Sequence, residues 1–177
     1  KAVSTYFPVL VTSNLAIYLP NLQSLTDEVA DRVTLQLRRY QEANVEYPET
    51  IAWFVLVQAL QLSEKQTQKF LREWKHSNEF IQTVGHLFTL HALHQKGPLS
   101  KWDLYQYSEV VIRLFQQYCD LQEGEVPDWQ EMYEALPIHH RQELALNGQD
   151  IIRLFELEKG GAIIGQVLSD LEYQVVV

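Results

Sequence analysis

Apolar residues recur along most of the chain at spacings of three and four positions, and no stretch alternates convincingly between apolar and polar residues. The first spacing is typical of amphipathic α-helices, and alternation is typical of half-buried strands. The pattern therefore predicts an all-α fold. In chain order, the predicted helical segments are 3–13, 15–19, 26–40, 48–60, 63–75, 78–93, 100–118 with an interruption near 107–108, 128–136, a short one after 147–148 and a last one from 161.

Turn-forming residues divide these helices into two groups. Gly97 and Pro98 break the chain after the sixth segment, since glycine favours a helix end and proline cannot continue a helix. A second linker covers 124–127. We therefore expect an irregular multi-helix bundle, the body, over residues 1–126, and a small helical tail over 127–177 packed at the C-terminal end of the body. The segment 48–60 is apolar on most sides, which predicts a central position in the body.

Composition narrows the class of protein. Of the 177 residues, 46% are hydrophobic and 21% are charged, which is ordinary for a globular domain. No apolar run approaches the roughly 18 residues of a membrane span, so no membrane partner is expected. Cys119 is the only cysteine, which excludes an intramolecular disulfide and favours a reducing, cytoplasmic setting. The chain begins at Lys1 without a visible signal peptide, so we expect a piece of a longer protein.

The net charge of −9 disfavours nucleic-acid binding, because nucleic-acid-binding domains usually present a basic face. A local basic strip can still act, since salt confines the influence of each charge to about 10 Å. Lys65, Lys69, Arg72 and His76 follow one another at helical spacing, with Lys75 beside them. They form a candidate strip for phosphate contacts, although an ordinary solvated helix face would have the same pattern.

The usual catalytic and metal-binding motifs are not found. No histidine is followed by aspartate, and the pair His91 and His94 lacks the acid that a zinc hydrolase motif places between its histidines. Gly160 and Gly165 have the spacing of a phosphate-binding loop, but the lysine of that loop is missing. Asp120 beside Cys119 disfavours a thiolate. We therefore predict no catalytic residue and no metal site in this chain.

The tail carries a second candidate region. Asn147 is placed to cap a helix, and Asp150 suits the positive end of its dipole. Lys159, Gly160 and Gly161 precede the last helix, where backbone amides could meet a phosphate, although glycines at a tight turn between helices need no ligand. Gly161 and Gly165 also form a pair of small residues that would permit close helix packing.

Three stretches of the tail, together, resemble the tail of bacterial CCA-adding enzymes (tRNA nucleotidyltransferases) of the Firmicutes type. They are Tyr133-Glu134-Ala135-Leu136-Pro137-Ile138, the run from Arg141 to Ile152, and Lys159-Gly160-Gly161-Ala162-Ile163-Ile164-Gly165. Near the other end, Tyr18-Leu19-Pro20-Asn21-Leu22 is similar to the stretch that follows the neck of these enzymes, with Asn21 in place of a glycine.

The resemblance implies a function without chemistry of its own. The catalytic head of the family, with its phosphate loop and metal-binding aspartates, uses Mg²⁺, CTP and ATP, and neither the motifs of the head nor those of the neck occur in this sequence. The body and tail would hold the acceptor and T stems and the elbow of tRNA, so that the missing N-terminal head could add CCA to the 3′ end. The implied partners are tRNA and that head. The candidate RNA-binding residues are Lys65, Lys69, Arg72, Lys75, His76, Arg141, Asn147, Lys159, Gly160 and Gly161.

Two other functions stay open from the sequence. The acidic balance and four tryptophans also suit an all-helical protein-interaction or scaffold domain without RNA binding. A helical DNA-binding module built on the turn at Gly160 and Gly161 is a third hypothesis. The oligomeric state and the nucleotides that the parent enzyme adds are not determined by the sequence.

Overall fold

The structure is a computed structural model, and it describes residues 9, 12–13, 15–19, 22, 25–43, 49–122, 124, 126–156 and 161–177. Within these ranges there are nine α-helices and no β-strand, which confirms the predicted all-α class. The helices are α1 (Asp27–Glu42), α2 (Glu49–Ala59), α3 (Glu64–Glu73), α4 (Asn78–His94), α5 (Lys101–Tyr105), α6 (Glu109–Gln122), α7 (Trp129–Glu134), α8 (Gly148–Leu154) and α9 (Ala162–Val176).

Most predicted segments are found within one or two residues of their expected ends. The interruption near 107–108 is real and separates α5 from α6. The N-cap of α4 is Ser77, whose hydroxyl accepts from the N–H of Phe80 at 3.2 Å. The segment 15–19 forms a single 3-10 turn, Ala16–Tyr18. Pro48 and most of the predicted first helix lie outside the described residues.

The chain divides into two compact units. The larger unit comprises Lys1–Lys96 and Leu114–Pro127, and the smaller unit comprises Gly97–Arg113 and Asp128–Val177. Residues 97–113, which the sequence analysis assigned to the body, thus group with the residues of the predicted tail. Helix α6 contributes its first five residues to the smaller unit and its remainder to the larger one.

The core of the larger unit is built around α2, which packs against α1 and α4, while α3 packs against α4. Seven of the eleven residues of α2 are buried, as expected for a central helix: Ile51, Ala52, Phe54, Val55, Leu56, Val57 and Ala59. Phe54 meets Tyr118 of α6 edge to face, with ring centroids 4.9 Å apart. Truncating such a ring typically costs about 3–5 kcal/mol of stability.

In the smaller unit, α5 packs against α7 and α9, and α8 packs against α9. Its core contains Leu104, Trp129, Tyr133, Ile151 and Val176, all nearly inaccessible to solvent. Trp129 directly follows Asp128, whose carboxylate caps α7 by accepting from the N–H of Glu131 at 2.8 Å. A local cap and a large buried ring therefore fix the start of this helix together.

Among the described residues, none of the helices combines the length and the apolar character that crossing a membrane requires.

Candidate functional site

The first candidate region is the outer edge of α3. Ser63 and Gln66 form a capping box: the Ser63 hydroxyl accepts from the Gln66 N–H, and Gln66 Oε1 accepts from the Ser63 N–H at 2.9 Å. The cap fixes the first turn, while buried Phe70 and Leu71 fix which face turns inward. Four basic residues of this segment follow one another at spacings of four, three and three, which places them in a row on the solvent-exposed face. We call this row the basic edge: Lys65, Lys69, Arg72 and Lys75.

All four side chains of the basic edge are exposed. The Lys69 side chain is 76% exposed, and its ammonium lies 3.9 Å from Glu73 Oε1, which makes a loose surface ion pair. Lys65, Arg72 and Lys75 have no ion-pair partner within the part of the chain that the structure describes. The basic edge therefore presents three uncompensated cations and one weakly compensated cation to solvent.

Lys75 ends α3 in a left-handed conformation with φ of 61°. The N–H of Lys75 bonds to the carbonyl of Arg72 at 3.0 Å, and the N–H of His76 bonds to the carbonyl of Leu71 at 3.1 Å. These two bonds are those of a Schellman motif, which usually has glycine at the left-handed position. The motif turns the chain sharply and leaves the Lys75 side chain outside.

His76 departs from the predicted row. Its ring is half-buried, stacks on Phe80 with centroids 4.2 Å apart and an interplanar angle of 12°, and meets Trp53 edge to face at 4.6 Å. Its Nε2 atom is buried and has no hydrogen-bond partner among the described residues. The structure thus places His76 in an aromatic cluster behind the basic edge instead of extending it. A contact with RNA by His76 stays a prediction.

The second candidate region, in the smaller unit, contains Arg141. Its Nε donates to Glu172 Oε2 at 2.9 Å, and its Nη2 donates to the same oxygen and to the Ser169 hydroxyl at 2.9 Å. The Tyr105 hydroxyl donates to the other oxygen, Glu172 Oε1, at 2.7 Å. Since the carboxylate is buried, these two charge-assisted bonds to one oxygen neutralise most of the charge that Arg141 would offer to a phosphate.

The pKa values of this network follow from its contacts. The hydrogen bond from Arg141 lowers the pKa of Glu172 against the opposing effect of burial, and the bond from Tyr105 lowers it further. Burial raises the pKa of Tyr105, and its bond to the Glu172 carboxylate raises it again. Tyr105 therefore stays a donor and Glu172 an ionised acceptor at neutral pH.

Asn147 has a structural role as the N-cap of α8. Its side-chain oxygen accepts from the N–H groups of Gln149 at 2.8 Å and Asp150 at 3.3 Å, and Asp150 Oδ2 accepts from the Asn147 N–H at 3.0 Å. This capping box starts α8, as the sequence predicted for Asn147. The side-chain oxygen is therefore already engaged, and a contact with RNA would have to use the amide nitrogen.

The glycine region before α9 is only partly described. Lys159 and Gly160 lie outside the described residues. Gly161 is the N-cap of α9, is exposed, and has extended backbone with φ of −163°. A Cβ at Gly161 or Gly165 would meet nothing within 4 Å in the described structure, so the predicted close packing through this pair was wrong. The close approach is instead at Gly148, where a Cβ would lie 3.3 Å from Ile164 of α9.

Glu172 is the residue that the sequence analysis missed. It joins Arg141, 31 positions earlier, with Tyr105, 67 positions earlier. No short sequence pattern predicts contacts between residues so far apart in the chain. Within the described residues, no group of three or more His, Cys, Asp or Glu side chains is arranged to hold a metal ion.

Comparisons with known proteins agree with the resemblance drawn from the sequence. The family model of tRNA nucleotidyltransferase domain 2 matches residues 47–177. The CCA-adding enzyme of Streptococcus mutans serotype c is 31% identical over 94% of this chain and 40% of its own length. That of Enterococcus faecalis is 34% identical over 72% of this chain and 32% of its own length. The chain thus spans well under half the length of these relatives.

A solved structure shares the fold. The crystal structure of Bacillus stearothermophilus CCA-adding enzyme in complex with CTP superposes with a TM-score of 0.70, covering 98% of this chain and 43% of that one at 23% identity. At this identity the likeness concerns the fold alone. Because the family model covers most of the sequence, the chain belongs to the tRNA nucleotidyltransferase domain 2 family.

Proposed function

We propose that this chain is the tRNA-holding region of a CCA-adding tRNA nucleotidyltransferase. It would anchor the acceptor and T stems and the elbow of tRNA, while a catalytic head outside these 177 residues adds CCA to the 3′ end. The observation that carries the proposal is the basic edge of α3, where Lys65, Lys69, Arg72 and Lys75 are all exposed in a protein whose net charge is −9.

The geometry of the basic edge suits a phosphate backbone. Lys65 and Arg72 are seven residues apart on one helix, which corresponds to about 10 Å along its axis. This span is close to the screening length at ordinary salt, so the cations act on the same stretch of backbone while more distant acids are screened. Backbone contacts of this kind position a nucleic acid without reading its sequence.

Recognition by shape fits the rest of the proposal. The major groove of A-form RNA is too narrow for side chains, whereas its phosphates and 2′-hydroxyls are accessible. A protein that binds RNA helices therefore recognises their shape more than their sequence. Rigid holding then brings the 3′ end to the catalytic head by geometry. In this proposal Mg²⁺, CTP and ATP bind in the head, and the protein acts in the cytoplasm.

The test is tRNA binding across a salt series. We expect Lys69→Glu with Arg72→Glu to weaken tRNA binding by about 10-fold and to reduce the slope of log K against log salt by about 2, because two phosphate contacts are lost. Fluorescence anisotropy with a labelled tRNA transcript measures both quantities.

The matched control is Arg32→Glu with Arg113→Glu. This double variant changes the net charge equally, but its arginines already pair with Glu28 and Glu109 on their own helices. It should keep the wild-type slope. An unchanged slope in the Lys69 and Arg72 variant would remove α3 from the tRNA interface.

One observation favours the alternative of a protein-interaction domain. Leu154, Phe155 and Ile163 of the smaller unit are 65%, 56% and 52% exposed, and exposed apolar side chains that lie together are typical of protein-interaction surfaces. A scaffold of this kind would ignore tRNA at every salt concentration, so the same titration separates the two functions.

A further inference from the structure

Three aromatic rings meet on the smaller unit at the junction of α5 and α9. Trp102 and Tyr105 stack with centroids 5.4 Å apart and an interplanar angle of 23°. Tyr173 of α9 meets Trp102 edge to face at 5.2 Å and 74°. We call this group of three residues the aromatic corner, since the Tyr173 ring stands nearly at right angles to the Trp102 ring.

The aromatic corner is open to solvent and rigidly held. Tyr173 is 50% exposed, and Trp102 and Tyr105 are half-buried. The Tyr105 hydroxyl is fixed on Glu172, which Arg141 holds from the other side. Tyr173 follows Glu172 directly in α9. A surface whose rings are already ordered loses little conformational entropy when a ligand binds.

Three acidic side chains near the corner have partners within the protein, and one of them is neutralised by an arginine. Asp103 accepts from the N–H and hydroxyl of Ser100 in the cap of α5, and Glu172 is paired with Arg141. Asp170 accepts from Gln166 at 3.3 Å. Lys101, next to Trp102, is exposed and has no ion-pair partner among the described residues. Lys101 therefore has a free ammonium group that a phosphate could contact.

We propose that the aromatic corner stacks an unpaired nucleobase of the bound RNA, with Lys101 facing its backbone. The inference rests on the proposed function and adds the kind of nucleotide recognised. Bases inside a helix have both faces covered, so a base that stacks on a protein ring is either unpaired or at the end of a helix. Stacking on aromatic rings is tolerant of sequence because every base has a π-face. The ligand class is a single-stranded or looped-out nucleotide.

The experiment compares three forms of the full chain: Tyr173→Ala, Tyr173→Phe and the control Phe155→Ala. Phe155 is similarly exposed at 56%, lies in the same unit, and has no ring partner among the described residues. The probes are a folded tRNA transcript, a ten-nucleotide oligoadenylate, and an abasic ribose-phosphate chain of the same length. Affinities are measured by fluorescence anisotropy.

Removing the ring should weaken binding of tRNA and oligoadenylate by about 5- to 100-fold, the range for one lost base stack. Tyr173→Phe and Phe155→Ala should bind like the wild type. The wild type should prefer oligoadenylate over the abasic chain, and Tyr173→Ala should lose that preference. Thermal unfolding verifies that Tyr173→Ala is folded.

The outcomes separate this inference from the proposed function. If the wild type binds tRNA but Tyr173→Ala binds it equally well, the corner is not a stacking site and the proposed function stands. If the wild type ignores tRNA, the proposed function fails, and equal binding of oligoadenylate and abasic chain overturns the corner as well. If Tyr173→Ala alters only the self-association of the protein in sedimentation, the corner is a protein interface and the inference is overturned.

Discussion

Lys75 adopts a backbone conformation that lysine rarely takes. Its φ of 61° closes α3, and Gln61 and Glu156 close α2 and α8 in the same way with φ of 55° and 50°. The left-handed region costs a residue with a side chain roughly 1–2 kcal/mol relative to glycine. Because three helix ends share this feature, the strain by itself does not mark a functional residue. Because Gln61, Lys75 and Glu156 occupy the left-handed positions, the sequence has no glycine there that would predict these helix ends.

The variant Lys75→Gly should therefore be more stable than the wild type by about 1 kcal/mol, since glycine relieves the left-handed strain of the Schellman motif. Urea denaturation measures the difference. Lys96→Gly is the matched control, because Lys96 is also exposed near a helix end but does not have positive φ. A stabilisation of equal size in both variants would contradict the strain argument.

Glu172 makes the stability of the smaller unit depend on pH. Its pKa in the folded protein is lowered below the ordinary 4.5 by the bond from Arg141. The ionised carboxylate therefore contributes stability that is fully present above about pH 4.5 and is lost as the pH falls through the lowered folded pKa. Arg141 stays charged throughout this range.

Glu172→Gln should accordingly be less stable than the wild type by about 2 kcal/mol at pH 7, because a buried charge-assisted hydrogen-bond pair is lost. The difference in unfolding free energy between the wild type and this variant should narrow at pH 3.5. That pH lies below the ordinary pKa of 4.5, so the ionised carboxylate contributes less stability there. Urea midpoints at the two pH values test this. Glu134→Gln, which changes an exposed acid bonded to Gln130, should show no such narrowing. If the stability difference between the wild type and Glu172→Gln is the same at both pH values, the result contradicts a stabilising role of the ionised Glu172.

At the scale of elements, the helix starts follow from short sequence patterns. Ser63 with Gln66, Ser100 with Asp103, and Asn147 with Asp150 all form complete capping boxes. Each box satisfies backbone donors that the first turn leaves unpaired. The predicted starts of these helices, at 63, 100 and 147–148, lie within one residue of the observed starts. The ends of α2, α3 and α8 have left-handed residues other than glycine and carry no comparable sequence pattern.

The cap of α8 gives a prediction at this scale. Asn147→Ala should lower the free energy of unfolding by about 1 kcal/mol, because the N–H groups of Gln149 and Asp150 lose their acceptor. Asn147→Ser should retain most of the stability, since serine caps about as well. Urea denaturation of both variants is the measurement. Equal losses in the two variants would show that Asn147 matters for something other than its cap.

At the scale of the whole molecule, the compact units do not follow the order of the chain. The smaller unit takes in Gly97–Arg113 as well as Asp128–Val177, because α5 packs against α7 and α9. The boundary predicted from the sequence lies at residues 126–127, within the second linker. A linker marks a flexible connection, but it does not show which helices share a core.

Deleting residues 128–177 tests this grouping. We expect the amides of residues 97–113 to exchange with solvent at least about tenfold faster in the shortened chain, because α5 loses the helices that cover it. Residues 49–94 should keep their protection. Hydrogen exchange followed by mass spectrometry measures the exchange rates of both segments in one experiment. Unchanged protection over 97–113 would favour the boundary predicted from the sequence.

The sequence by itself determined the helical class, the helix starts, the central position of α2 and the family. The first three depend on periodicity and on caps that span three or four residues, and the family depends on short stretches of the tail, all of which are local in the sequence. Only the tertiary structure decided which polar groups are free to bind a ligand and which are engaged within the protein. It engages Arg141 with Glu172, stacks His76 on Phe80, and leaves Lys65, Arg72 and Lys75 exposed. The physical reason is that burial and pairing depend on residues brought together by packing from distant parts of the chain.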